Sequence, residues 1–91
     1  MDYPSKADLN TIHKWPILQD PWGLLDHLIE CWTSYGNIIV NGRKVIMTTG
    51  GWSGNESLIY ALQETMWWQL YWQKSERGGL HEFRLPERKK K

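Results

Sequence analysis

The segment best placed to do chemistry is Thr48-Thr49-Gly50-Gly51-Trp52-Ser53-Gly54-Asn55-Glu56. A glycine-rich stretch between a strand and a helix can turn backbone N–H groups toward an anion at the helix N-terminus. Gly50, Gly51, Trp52, Ser53 and Gly54 are therefore a candidate anion loop. Two features favour a plain turn. The lysine and Ser/Thr that complete a phosphate-binding P-loop are missing, and Glu56 sets a carboxylate where a phosphate would lie. The same residues approach the nucleophile elbow G-x-S-x-G, but Asn55 replaces the last glycine and 91 residues build no α/β-hydrolase. Ser53 with Glu56 three residues on has the capping-box pattern, so the serine is expected to cap a helix.

The remaining polar side chains suggest little chemistry. His13, His27 and His81 are scattered, share no ligand spacing with Cys31, and are expected on the surface or on a strand face, with no metal and no cofactor. Cys31 is the single cysteine, so no internal disulfide forms and a reducing compartment is expected, with the thiol inert in an apolar helical stretch. Asp26, Glu30, Glu56 and Glu64 show no pairing for acid–base work. The chain is expected to have no catalytic activity.

Two features remain for binding. The chain holds seven Trp, four Tyr and one Phe. Buried aromatics remove about 150–250 Å² each from water, and most are expected in the core of so small a protein. Tyr60, Trp67 and Tyr71 fall on a helical stripe about 100° from Leu58, Leu62 and Met66, with Trp68 and Trp72 beside them. Adjacent indoles cannot all face one core, so Tyr60, Trp67, Trp68, Tyr71 and Trp72 are the candidate protein-contact residues. The basic run Arg88-Lys89-Lys90-Lys91, with Arg77 and Arg84 nearby, offers an alternative contact with nucleic acid. The net charge of +1 supplies no whole-molecule attraction for phosphates or an anionic membrane.

The elements that must position these residues follow from spacing and caps. Ser5 and Asp8 open a short helix that Trp15-Pro16 ends near Lys14. Asp20-Pro21 opens a second, over 21–33, whose stripe is Leu24, Leu25, Leu28, Ile29 and Trp32; Tyr35-Gly36 is expected to close it. Asn41-Gly42 between two β-branched runs predicts a hairpin with a type I′ turn and strands near 37–41 and 44–49. A single long helix is expected from about Gly54 to Ser75, carrying Leu58, Leu62, Met66 and Leu70 on one face. Gly78-Gly79 breaks it, and a last strand covers Leu80 to Leu85, with His81, Phe83 and Leu85 on one face. At 1.5 Å per residue such a helix is about 30 Å long. Strands of this length span about 17–20 Å. Its last turns should overhang the sheet and leave indoles in need of cover. The expected architecture is an α+β domain over residues 1–86: N-terminal helices, hairpin, long helix, third strand, antiparallel order 2-1-3, helices on one face. A disordered basic tail over 87–91 follows.

No run approaches the roughly 20 apolar residues of a membrane span. The opening MDYPSKADLN is polar and acidic, unlike a secretory leader, so a cytoplasmic protein is expected. Thr49-Gly50-Gly51-Trp52-Ser53-Gly54-Asn55-Glu56, with Ala61-Leu62-Gln63, Met66-Trp67-Trp68, Tyr71-Trp72 and Ser75-Glu76-Arg77-Gly78-Gly79, resembles a family of small proteins from tailed bacteriophages and prophages. The resemblance covers roughly residues 36–85 and assigns no activity or site residue. It implies an accessory protein in a bacterial host cytoplasm. Such a protein would act by binding a host or phage protein, for example to blunt a defence system, and a homodimer through the Trp-rich helix fits the same expectation.

Overall fold

A computed structural model describes residues 3–88. The chain runs α1 (Lys6–Lys14), α2 (Pro21–Cys31), β1 (Asn37–Asn41), β2 (Lys44–Thr48), α3 (Ser53–Gln63), α4 (Met66–Tyr71), β3 (Trp72–Glu76) and β4 (Leu80–Arg84). The fold is α+β, and the strands form one antiparallel sheet in the order β1-β2-β4-β3.

The first two helices start where their caps put them. Ser5 accepts from the Asp8 amide while Asp8 accepts from the Ser5 amide, a complete capping box. Asp20 accepts from the Gly23 amide, with proline at the first helical position of α2. That helix stops at Cys31, short of the expected 33. Trp32 turns extended there, and its indole N–H donates to the Thr48 carbonyl. Gly36 is not a left-handed terminator, because its φ is not positive. It is buried where any Cβ would overlap the Thr48 carbonyl, so the glycine serves close approach of two backbones.

The first hairpin has the expected strands but its turn sits one residue later. Asn41 pairs with Lys44, so the two loop residues are Gly42 and Arg43. Only Gly42 has positive φ, at 64°. That pattern belongs to a type II′ turn, with glycine first, and replaces the expected type I′ turn.

The long helix is the main correction. It breaks after Gln63, and Thr65 adopts an extended conformation (φ −106°, ψ 160°) that starts α4 anew. The Thr65 hydroxyl donates to Leu62 O at 2.7 Å and accepts from the Trp68 amide. The break changes which residues face inward. Met66 and Leu70, on the stripe extrapolated from Leu58 and Leu62, are half exposed at 52% and 49%, whereas Trp67 is fully buried. Burying an indole removes more surface from water than burying either aliphatic chain, which is the physical reason for the turn. Residues 72–76 then leave the helix altogether and form β3. The expected overhang of a 54–75 helix does not exist.

The strand order changes for the same reason. One uninterrupted helix would return the last strand antiparallel to β1, giving 2-1-3. With β3 inserted, the chain reverses once more through Arg77-Gly78-Gly79, where both glycines have positive φ (87° and 81°). The last strand, β4, therefore lies antiparallel to β2, and Val45 pairs with Phe83. Val45, Met47 and Phe83 face the buried core, which also holds Ile12, Leu25, Leu28, Leu58 and Leu62 from the helices. The alternate side chains, among them Ile39, Ile46 and Glu82, lie on the open face, where Lys44 meets Glu82 at 3.7 Å.

Of the tail expected to be disordered, Arg88 packs its guanidinium 4.2 Å from the centre of the Trp22 ring. Lys89, Lys90 and Lys91 lie outside the described residues. Among the described residues no helix is long and apolar enough to cross a membrane.

Candidate binding surfaces

The glycine loop is built to turn the chain. Gly50 and Gly51 both have positive φ (64° and 75°). The Gly51 amide donates to the Thr49 hydroxyl and the Trp52 amide to the Thr49 carbonyl, so neither is free to meet an anion. Ser53 does not cap α3. The N-cap is Trp52, without a side-chain bond, and the Ser53 hydroxyl instead lies 2.7 Å from Tyr3 Oη. Trp52 sits tilted between Tyr3 and Tyr35, with ring centres 5.0 and 5.9 Å away, and lies against Gly54 so closely that no Cβ fits there. With Glu56 adding negative charge to the first turn, the loop offers an anion no cradle.

The residue that organises this corner is Asn55, which is fully buried. Its carbonyl oxygen accepts from the Thr33 amide at 3.1 Å and its NH₂ donates to Thr49 O at 3.2 Å. One side chain thus joins the exit of α2, the loop and the start of α3. In the sequence Asn55 shows only as a departure from the nucleophile elbow.

The five aromatics proposed as one contact surface do not form one. Trp67 is at the centre of the core, its ring 5.0 Å from Phe83, and its Nε1 donates to Pro21 O at 2.9 Å. Tyr71 is half-buried, edge-on to Trp67 at 5.5 Å. Trp68 is half-buried over Phe83 and His81 and stacks on Trp72 at 6.2 Å. Of the five only Tyr60 is largely open to solvent, and Trp72 is under half exposed. They stand on different elements, and Tyr60 joins no ring pair among the described residues. Trp72 Nε1 donates to the Ser75 hydroxyl, which lies 2.7 Å from His81 Nδ1. Burial lowers the His81 pKa below its ordinary value.

The two edges of the sheet differ sharply. The β3 edge carries Lys74 and Glu76, paired at 3.2 Å, and its register is broken by a bulge between Trp72 and Lys74. Charge and bulging are the devices by which a protein keeps an edge from accepting another strand. The β1 edge, Asn37-Ile38-Ile39-Val40-Asn41, has neither. It pairs regularly with β2 over all five residues, and Ile39 and Val40 are exposed at 55% and 41%.

One group of reactive side chains is brought together across two helices. His27 and Cys31 lie one turn apart on α2, and Asp8 reaches them from α1; their ligand atoms all lie within 4.8 Å of one another. The expectation that no histidine shares ligand spacing with Cys31 is thereby corrected, since four residues on a helix place side chains on one face. Ser5 holds the Asp8 carboxyl below its usual range, chiefly through its backbone N–H. Burial first, then the Asp8 and Glu30 carboxylates, pushes the Cys31 thiol up. A thiol so placed rests protonated and is not an activated nucleophile.

Neither a known protein family, nor a curated protein, nor a solved structure matches this chain.

Proposed function

We propose that this is a non-catalytic binding protein whose β1 edge accepts an extended segment of a partner protein as a fifth strand. The observation behind it is the contrast between the edges: β3 is charged and bulged, while β1 is regular, uncharged and exposes Ile39 and Val40. In such strand addition, main-chain hydrogen bonds supply affinity and alternate side chains supply selectivity. The incoming strand would set an apolar side chain beside Ile39 on the open face, opposite its existing neighbour Ile46. The resemblance of the TGGWSGNE stretch to phage proteins makes a host or phage protein the natural partner, a counter-defence role included, acting in the bacterial cytoplasm. The self-bonded glycine loop supports a binding role over an anion-handling catalytic one. Of the basic residues behind the nucleic-acid alternative, Arg88 is drawn on to Trp22, Arg77 and Arg84 are exposed, and Lys89, Lys90 and Lys91 lie outside the described residues.

The test is capture of partners from bacterial lysate, followed by hydrogen exchange on the recovered complex. Ile39→Lys puts a charge at an exposed position, so the fold should persist while strand addition fails. The wild type and Trp72→Ala should recover the same partner, Ile39→Lys should not, and amides 37–41 should exchange more slowly in the complex. Recovery of the same partner by Ile39→Lys, with unchanged exchange across β1, refutes the edge. A second copy on the same edge would show as an Ile39-dependent dimer in light scattering.

A further inference from the structure

The cluster on α1 and α2 is independent of the β1 edge and has the composition of a metal centre. His27 Nε2 lies 3.8 Å from Cys31 Sγ. Tetrahedral zinc with bonds of about 2.3 Å to sulfur and 2.0–2.1 Å to nitrogen separates those two atoms by about 3.6 Å. The existing spacing thus needs only a small adjustment. Asp8 supplies an oxygen from the facing helix, and all three side chains are half-buried, shielded enough to favour an ion yet reachable from solvent.

The surroundings hold two of the three ligands, Asp8 and His27, in place. The Asp8 carboxylate accepts from the Ser5 amide at 2.9 Å through Oδ2, which leaves Oδ1 to a ligand. The His27 ring stacks on Trp15 at 6.0 Å with 22° between planes. Trp15 is itself fixed by donation from Nε1 to Asp20 O at 2.8 Å. Partners that fix the first ligands are what turn adjacent side chains into a site. His27 Nε2 also lies 3.1 Å from the Asp8 carbonyl. In that contact Nε2 donates to the carbonyl, so ligation gives up this bond, places the imidazole proton on Nδ1 and turns the Nε2 lone pair toward the ion.

We propose that Asp8, His27 and Cys31 bind one zinc ion, which clips α1 to α2 and leaves the fourth tetrahedral corner to water. A thiolate with an imidazole selects zinc over magnesium or calcium, which want oxygen alone. Binding breaks the S–H bond, releases the thiol proton to solvent, forms the Zn–S bond and uses the existing charge of the carboxylate.

The experiment uses the full chain, metal-free and without added histidines, titrated with zinc against a chromophoric chelator and separately with cobalt(II). One equivalent should bind, cobalt should give tetrahedral d–d bands with a thiolate-to-cobalt charge-transfer band, and zinc should raise the melting temperature. Loss of an outer partner lowers metal affinity about 10–100-fold, so loss of a direct ligand should lower it at least about 100-fold. That loss is expected in Cys31→Ser, His27→Gln and Asp8→Asn, the last of which retains the oxygen that caps α1. His13→Gln, at the separate His13–Glu64 pair, should bind as the wild type does. Absence of stoichiometric binding, a cobalt spectrum without the thiolate band, equal affinity in a folded Cys31→Ser protein, or loss in His13→Gln alone would each overturn the site.

Discussion

At the scale of single residues, the polar interior of this protein rests on Asn55. Replacing it with alanine leaves the Thr49 carbonyl with another donor, the Trp52 amide, but leaves the Thr33 amide with none. An orphaned buried donor costs about 1–3 kcal/mol, and Asn55→Ala should lower stability in urea by that amount. A neighbouring hydroxyl provides the opposite case. Thr33 Oγ1 is buried with no hydrogen-bond partner among the described residues. Thr33→Val removes that unpaired group at constant shape and should be neutral or stabilising, by up to about 1 kcal/mol. Equal losses in the two variants would show that the Asn55 bonds do not set the corner. None of this is legible in the sequence, because Asn55 is joined to Thr33 only once the α2 exit and the loop lie side by side. The cluster at Cys31 was half legible. His27 and Cys31 share a helix face by spacing alone, whereas Asp8 arrives by packing of a helix 19 residues earlier than His27, through the contact of its carbonyl with the imidazole.

At the scale of elements, local signals suffice for the first four. The caps at Ser5 and Asp20 and the β-branched runs around Gly42 are signals within a few residues of one another, and α1, α2, β1 and β2 follow them. The failures are where tertiary pairing overrides local pattern. Trp72-Gln73-Lys74-Ser75-Glu76 has no strand alternation and is exposed throughout, and it is a strand because the turn through Gly78 and Gly79 folds it on to β4. This hairpin carries a pH dependence. The Ser75 hydroxyl accepts from Trp72 Nε1 and lies 2.7 Å from His81 Nδ1, a contact in which it can donate to an unprotonated ring nitrogen. Burial likewise lowers the His81 pKa from the ordinary value of 6.5. The unfolded chain then binds the proton first as pH falls, so the stability is complete above about pH 6.5 and declines as pH falls through the lower, folded value. Melting temperature measured from pH 7.5 down to about 5 should fall in the wild type and flatten in His81→Gln. Parallel curves for the two proteins would remove His81 as the cause.

At the scale of the whole molecule, the break at Thr65 decides more than the shape of a helix. It takes Trp67 to the centre, where it touches Phe83 from β4, Tyr71 from α4 and, through its indole N–H, the carbonyl of Pro21 at the start of α2. The same break supplies β3, and β3 moves β4 from the side of β1 to the side of β2, which leaves β1 as an edge. The candidate binding edge is therefore a consequence of where one indole is buried. A chain of 91 residues has a total stability of about 5–14 kcal/mol, and Trp→Ala in a closed core costs about 3–5 kcal/mol. Trp67→Ala should thus consume a large share of the whole, with helix and sheet signals melting together because every layer meets in one cluster. Trp67→Phe keeps most of the apolar contact and loses the bond to Pro21. It should fold, with stability between those of the wild type and Trp67→Ala, and its β4 amides, interior to the sheet, should exchange as slowly as those of the wild type. If Trp67→Ala instead melts at the wild-type temperature, the indole is not what fixes the strand order, and the exposed state of β1 needs another cause.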